Sequence, residues 1–86
     1  MQNVWLKRKG RRRVVNQLNV VLKRFVGYNA DPLDVLVAEM RKEVLRYFKS
    51  HSDDLKLFME NGTLDYRFNI SHNKGKVVAV EFQPLS

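Results

Sequence analysis

The chain is 86 residues long, has no cysteine, and carries 16 Lys and Arg against 9 Asp and Glu, a net charge of +7. A chain of this length makes one small domain with little stability to spare, and without cysteine it forms no disulfide and no thiolate-held zinc or iron–sulfur centre. No apolar run approaches the roughly 18 residues that span a bilayer, and the basic N-terminus lacks both the apolar stretch of a secretory signal and the Ser enrichment of a transit peptide, so a cytoplasmic protein is expected.

Residues 1–13 read as a basic N-terminal arm. Lys7, Arg8, Lys9, Arg11, Arg12 and Arg13 stand there with no acid among them, so this stretch contributes +6 and the remaining 73 residues only +1. Gly10 interrupts it, and Val4, Trp5 and Leu6 are its apolar residues after Met1. Residues 14–86 then read as a single α+β domain.

A first helix is predicted over residues 14–27. Val14, Leu18, Val21, Leu22 and Phe25 share one helical face, Asn16, Gln17, Asn19, Lys23 and Arg24 take the other, and Gly27 supplies a stop. A second helix is predicted over residues 32–50, with Asp31 as N-cap and Pro32 in the first turn. Its apolar face is Leu33, Leu36, Val37, Met40, Val44, Tyr47 and Phe48. Its other face mixes Glu39 and Glu43 with Arg41, Lys42, Arg46 and Lys49, and so is amphoteric.

Residues 54–83 fit either a third short helix and a hairpin or a three-stranded meander, and the meander is preferred because its register can be tested. Asn61-Gly62 is a strong hairpin signal, and a two-residue loop there pairs Leu55 with Phe68, Leu57 with Tyr66 and Met59 with Leu64. A three-residue turn at Asn73-Lys74-Gly75 pairs Ile70 with Val78, Phe68 with Val80 and Tyr66 with Phe82. Both turns place the apolar residues on one face, which favours this register. The expected architecture is two helices packed on one face of a three-stranded antiparallel β-meander, in the order ααβββ. Lys56, Phe58, Arg67, Val77, Ala79 and Glu81 fall on the open face.

A basic arm on a near-neutral domain points to a polyanionic partner. Nucleic acid, RNA or DNA, is the first expectation, bound through phosphates by Lys7, Arg8, Lys9, Arg11, Arg12 and Arg13 with help from Lys23 and Arg24. An acidic protein surface or an anionic membrane is the alternative; Trp5 could stack on a base or sit at a membrane interface, but is read first as covering the edge of the core. A non-enzymatic regulatory protein is therefore expected, without cofactor. Phe58 is the one ring on the open sheet face that could stack on a base, and Val77 and Ala79 on the last strand could pair a homodimer edge to edge. A winged-helix reading fails on sign, because residues 52–60 would be its recognition helix and carry Asp53, Asp54 and Glu60 against Lys56. His51 and His72 are far apart in sequence and have no metal-ligand spacing.

Two helices followed by an antiparallel meander in a small basic chain resembles the RelE/ParE toxin superfamily. Residues 62–70 and 76–82 are similar to its central strands, and residues 4–6 stand in the place of its first strand. That resemblance implies a ribosome-dependent ribonuclease or a gyrase inhibitor, with Lys56, Arg67 and His72 as active groups. The basic N-terminus followed by residues 17–22 and 40–45 is similar to the division-site factor MinE, which implies an adaptor with a polybasic anchor.

Overall fold

The first helix begins earlier than its apolar periodicity predicts. The structure, a computed structural model, describes residues 4–59 and 62–85, with side chains from residue 8 onward. Helix α1 spans Val4–Leu22 and runs into a 3-10 turn at Lys23–Phe25. It therefore continues through the boundary between the expected arm and the expected helix at Val14. Its inner row is Val14, Leu18 and Leu22, all fully buried, continued by Phe25. No such row exists before Val14, so periodicity gives no signal there. Lys and Arg are nevertheless good helix formers, and residues 10–13 find a surface to lie on. Gly10 packs beside Leu57, the Arg11 guanidinium sits 5.2 Å from the centre of the Phe58 ring, and Arg13 pairs with Asp54 at 3.1 Å.

Helix α2 spans Leu33–Ser50, one residue shorter than expected. Pro32, after a cis Asp31–Pro32 bond, occupies the N-cap position. Asp31 makes no capping bond; the carboxylate of Asp34 accepts the Val35 N–H instead, at 3.0 Å. Leu36, Met40, Val44, Tyr47 and Phe48 bury the inner face of α2 against α1 and the sheet.

The expected strand carrying Leu55, Leu57 and Met59 does not form. Ser52–Leu55 is a short helix, α3, and the backbone keeps turning: Leu57 N–H donates to the Asp54 carbonyl and Phe58 N–H to that of Leu55. The pairs Leu55–Phe68, Leu57–Tyr66 and Met59–Leu64 are therefore absent. Two preferences defeat the alternation of Leu55, Leu57 and Met59. Asp53 and Asp54 sit in the first turn of α3, where the helix dipole favours acids. The turn also carries Phe58 into the core, where it is 1% exposed between Phe48 and Phe82, whereas a strand would have left this ring on the open face. Glu60 and Asn61 of the expected turn lie outside the described residues.

The sheet has two antiparallel strands, β1 (Tyr66–Asn73) and β2 (Lys76–Pro84). Its register pairs Phe68 with Phe82 and Ile70 with Val80, two residues away from the expected pairing. Two features cause the shift. The loop is only Lys74-Gly75, both at positive φ (54° and 77°), the type I′ geometry that follows strand twist. A bulge then leaves Val78 without a partner between the pairs Ser71–Ala79 and His72–Val77. A shift of two preserves the face, so Tyr66, Phe68, Ile70, Val80 and Phe82 still look toward the helices. The bulge turns Val77 inward, to 1% exposure, and leaves Val78 outside at 52%. Val77 thus belongs to the core and not to the open face. The fold is α+β, with helices packed on an antiparallel sheet of two strands.

The two sheet edges differ. The outer edge of β2 is closed: Phe82 N–H donates to the Asn19 amide oxygen at 2.7 Å. Val77 exchanges backbone bonds with Gly27 and Tyr28, and Ala30 N–H donates to the Gly75 carbonyl. The outward backbone groups of Val77, expected to pair copies edge to edge, are therefore already bonded within the chain. The outer edge of β1 has no strand partner among the described residues.

Phe58→Ala is expected to destabilise the fold by about 3–5 kcal/mol in urea unfolding, against about 0.5 kcal/mol or less for Val78→Ala. A near-neutral Phe58→Ala would contradict the inward turn. Gly10→Ala is expected to stabilise by about 0.5 kcal/mol. Helix propensity favours Ala by about 1 kcal/mol, and the added methyl meets only the end of the Leu57 side chain, at 3.2 Å.

Candidate functional site

Helical geometry divides the expected basic residues into two groups. Positions 14, 18 and 22 of α1 face inward, so positions 9, 12, 16 and 23 fall on the outer side and position 8 on its flank. Arg8, Arg12 and Lys23 are exposed there, with no ion pair among the described residues. Lys9 is exposed beside them. Asn16 lies in the same row between Arg12 and Lys23. Its amide can donate to a phosphate oxygen, and only the continuous helix reveals its alignment with Arg12. The side chains of Trp5 and Lys7 lie outside the described residues.

Arg11, Arg13 and Arg24 are engaged by the fold. Arg11 covers the Phe58 ring, and Arg13 holds Asp54. Arg24 pairs with Glu43 of α2 at 2.8 Å and lies 5.5 Å from the centre of the Phe25 ring. Glu43 is shared with Arg46 at 3.5 Å. The expected cluster of eight cations is therefore not one site. Part of it bolts α1 to α2 and α3, and part faces solvent.

The outward group is electrostatically unfavourable on its own. The first turn of α1 contains no acid, although the positive end of a helix dipole favours one. Arg8 and Arg12 are four residues apart, a like-charge spacing that costs roughly 0.2–0.5 kcal/mol. An anion laid along this face relieves both terms.

A polar cluster beneath the basic face ties the helices together. The Tyr47 hydroxyl of α2 donates to the Gln17 side chain of α1 and lies 3.2 Å from Asp54, which also takes Arg13. The Tyr47 ring stacks on His51 at 4.2 Å. Burial, aided by Asp54, holds the Tyr47 phenol above its ordinary pKa, and Arg13 acts weakly in the other direction.

The other expected groups do not converge. Residues 4–6, expected as a toxin-like first strand, are helical. Lys56 follows α3 and lies near Asp53. Arg67 is on the outer sheet face, bonded to Gln83. His72 is on the opposite face, about 17 Å along β1 from Arg67. Phe58 is in the core, so no ring stands on the outer sheet face among the described residues. No helix of the described residues is long and apolar enough to cross a membrane. No protein-family model, curated protein or solved structure matches the chain, so its chemistry is read from its own residues.

A phenol held above its unfolded pKa of about 10 adds stability below that pH and loses it as pH rises through the folded value. Urea midpoints of the native chain are expected to fall from about pH 9 to pH 11. Tyr47→Phe should show a smaller fall, and equal falls in both proteins would remove Tyr47 as a cause.

Proposed function

We propose that the protein is a non-enzymatic nucleic-acid-binding protein whose outward α1 face lies along the phosphate backbone. The observation that carries this reading is the row Arg8, Arg12, Asn16 and Lys23, exposed on one side of a helix whose other side is buried. Arg8 and Arg12 are one turn apart, about 6 Å, close to the spacing of successive phosphates. α1 as a whole is about 28 Å long. Cations dominate the row, so phosphate-backbone contact is the mode its chemistry favours. Affinity would come from counterion release and would fall with salt.

A membrane-surface role draws less support. An interfacial helix needs an outward apolar face, and the apolar row of α1 is spent on the core. A toxin-like enzyme draws none from Lys56, Arg67 and His72, which are dispersed.

The test is a salt titration of binding to duplex DNA and to single-stranded RNA, with anionic vesicles as a third arm. The triple variant Arg8→Gln, Arg12→Gln, Lys23→Gln should flatten the log–log salt slope by about 2–3 on duplex DNA. Arg67→Gln should leave it unchanged. An unchanged slope in the triple variant would sink the reading.

A further inference from the structure

We propose that the open edge of β1 is the dimer interface of this protein, on which β1 of a second copy pairs antiparallel to make a four-stranded sheet in the order β2-β1-β1-β2. This inference does not depend on the ligand of α1. It begins from which backbone groups point outward. Phe82 N–H is turned away from β1 toward Asn19, so the Phe68–Phe82 pair is a non-hydrogen-bonded one. The partners of such pairs on β1 are Tyr66, Phe68, Ile70 and His72, and they direct their N–H and C=O groups to the open side. That is a ladder of four residues without a strand partner among the described residues. Native edges are usually guarded by Pro, charged side chains (Lys above all) or a bulge, and the charge on β1 is Arg67, which is bonded to Gln83 of β2. β1 contains no Pro and no Lys, and the bulge of this hairpin is on the other strand.

The side chains beside this edge are unfinished in the same way. Tyr66, Phe68 and Ile70 are only half-buried, while Phe82 and Val77 on β2 are fully buried. Leu33 and Leu45 of α2 are 52% and 61% exposed. An open cavity of about 390 Å³ by Leu33 and Ile70 lies between the start of α2 and β1, and another of about 610 Å³ by Leu45 and Leu64 lies between α2 and the segment that leads into β1.

The occupant is a second copy because this strand is complementary to itself. A two-fold axis through Asn69, perpendicular to the sheet, uses all four outward residues: Tyr66 meets His72 of the second copy, and Phe68 meets its Ile70. On the outer face Asn69 meets Asn69 and Arg67 meets Ser71, so no like charges stand opposite. The same register carries Asp65 to Asn73 of the second copy, one position from Lys74, at both ends of the ladder. Asp65 and Lys74 are exposed and make no ion pair among the described residues. Six of the cations that would oppose self-association are on α1, which covers the far edge, over β2; the cation beside the open edge is Arg41 of α2, held over the Tyr66 ring at 5.5 Å.

Sedimentation of the full chain across a wide concentration range should show a monomer–dimer equilibrium, and Asp65→Lys should weaken it roughly 2- to 30-fold through two lost pairs. The register is read by cross-linking in a chain with no native cysteine. Asn69→Cys should oxidise rapidly to a covalent dimer, because non-hydrogen-bonded partners bring Cα atoms to about 4.5 Å, within disulfide reach. Arg67→Cys alone should cross-link no faster than Ala79→Cys, which is on the same sheet face but on β2. A mixture of Arg67→Cys and Ser71→Cys should form the mixed dimer. All four positions are exposed, and circular dichroism of the reduced proteins checks their folding. A monomer at every concentration overturns the proposal. So does a dimer in which Asn69→Cys oxidises no faster than Ala79→Cys.

Discussion

The inward turn of Phe58 is the constraint on which the rest of this structure depends. The ring joins Phe48 and Phe82 in the core, and burying a side chain of this size is worth roughly 1.5–3 kcal/mol, a large share of the stability of so small a domain. Reaching that position requires residues 52–58 to curl. The curl has consequences on both sides of the molecule. It removes the third strand and leaves the edge of β1 open. It also places Asp54, Leu57 and Phe58 where Arg13, Gly10 and Arg11 lie over them. Without that surface the first turns of α1 would have charge repulsion against them and nothing to pack on.

The basic stretch therefore works in two ways at once. A cation over an aromatic face contributes roughly 0.5–1 kcal/mol at an exposed site, and an exposed ion pair up to about 1 kcal/mol. Together, Arg11 and Arg13 offset the like-charge and dipole costs at Arg8 and Arg12. The balance is close, and under the proposed function it would suit anion binding: the helix is formed beforehand, so binding would not bear the full entropy of ordering it, and a bound phosphate would relieve the repulsion it retains. A solvated arm with the same six cations would have the charge without the alignment.

Much of this was legible in the sequence and some was not, for identifiable reasons. The inner rows of α1 and α2 could be read because Val14, Leu18 and Leu22, and Met40, Val44 and Phe48, repeat at helical spacing. The start of α1 could not, because the residues it packs on come from 54–58 and α1 has no apolar row of its own there. The apolar face of the hairpin was legible because a register error of two keeps side chains on their face. The register itself turned on whether Asn73 belongs to the loop or pairs with Lys76 and on the bulge at Val78, and local composition reveals neither. Leu55, Leu57 and Met59 alternate like a strand, and nothing local reveals that Phe58 is worth more inside than those three are on a sheet. Arg11, Arg13 and Arg24 looked equivalent to Arg8 and Arg12 until their acidic and aromatic neighbours were brought from distant elements.

The open edge and the basic face are two results of one packing choice, and they are placed so as not to interfere. α1 caps β2 through Asn19, so cations and free edge lie on opposite sides of the sheet. In the proposed dimer the two basic helices would therefore stand at the outer flanks of a four-stranded sheet. A nucleic acid long enough to reach both would be held twice, the second contact being intramolecular, and avidity would exceed the modest affinity of one helix by a factor set by the span between them. A polymer too short to bridge would gain nothing. If the basic faces bind phosphate as proposed, what would select the ligand is the reach of the polymer between the two helices, a span set by where α1 docks on β2.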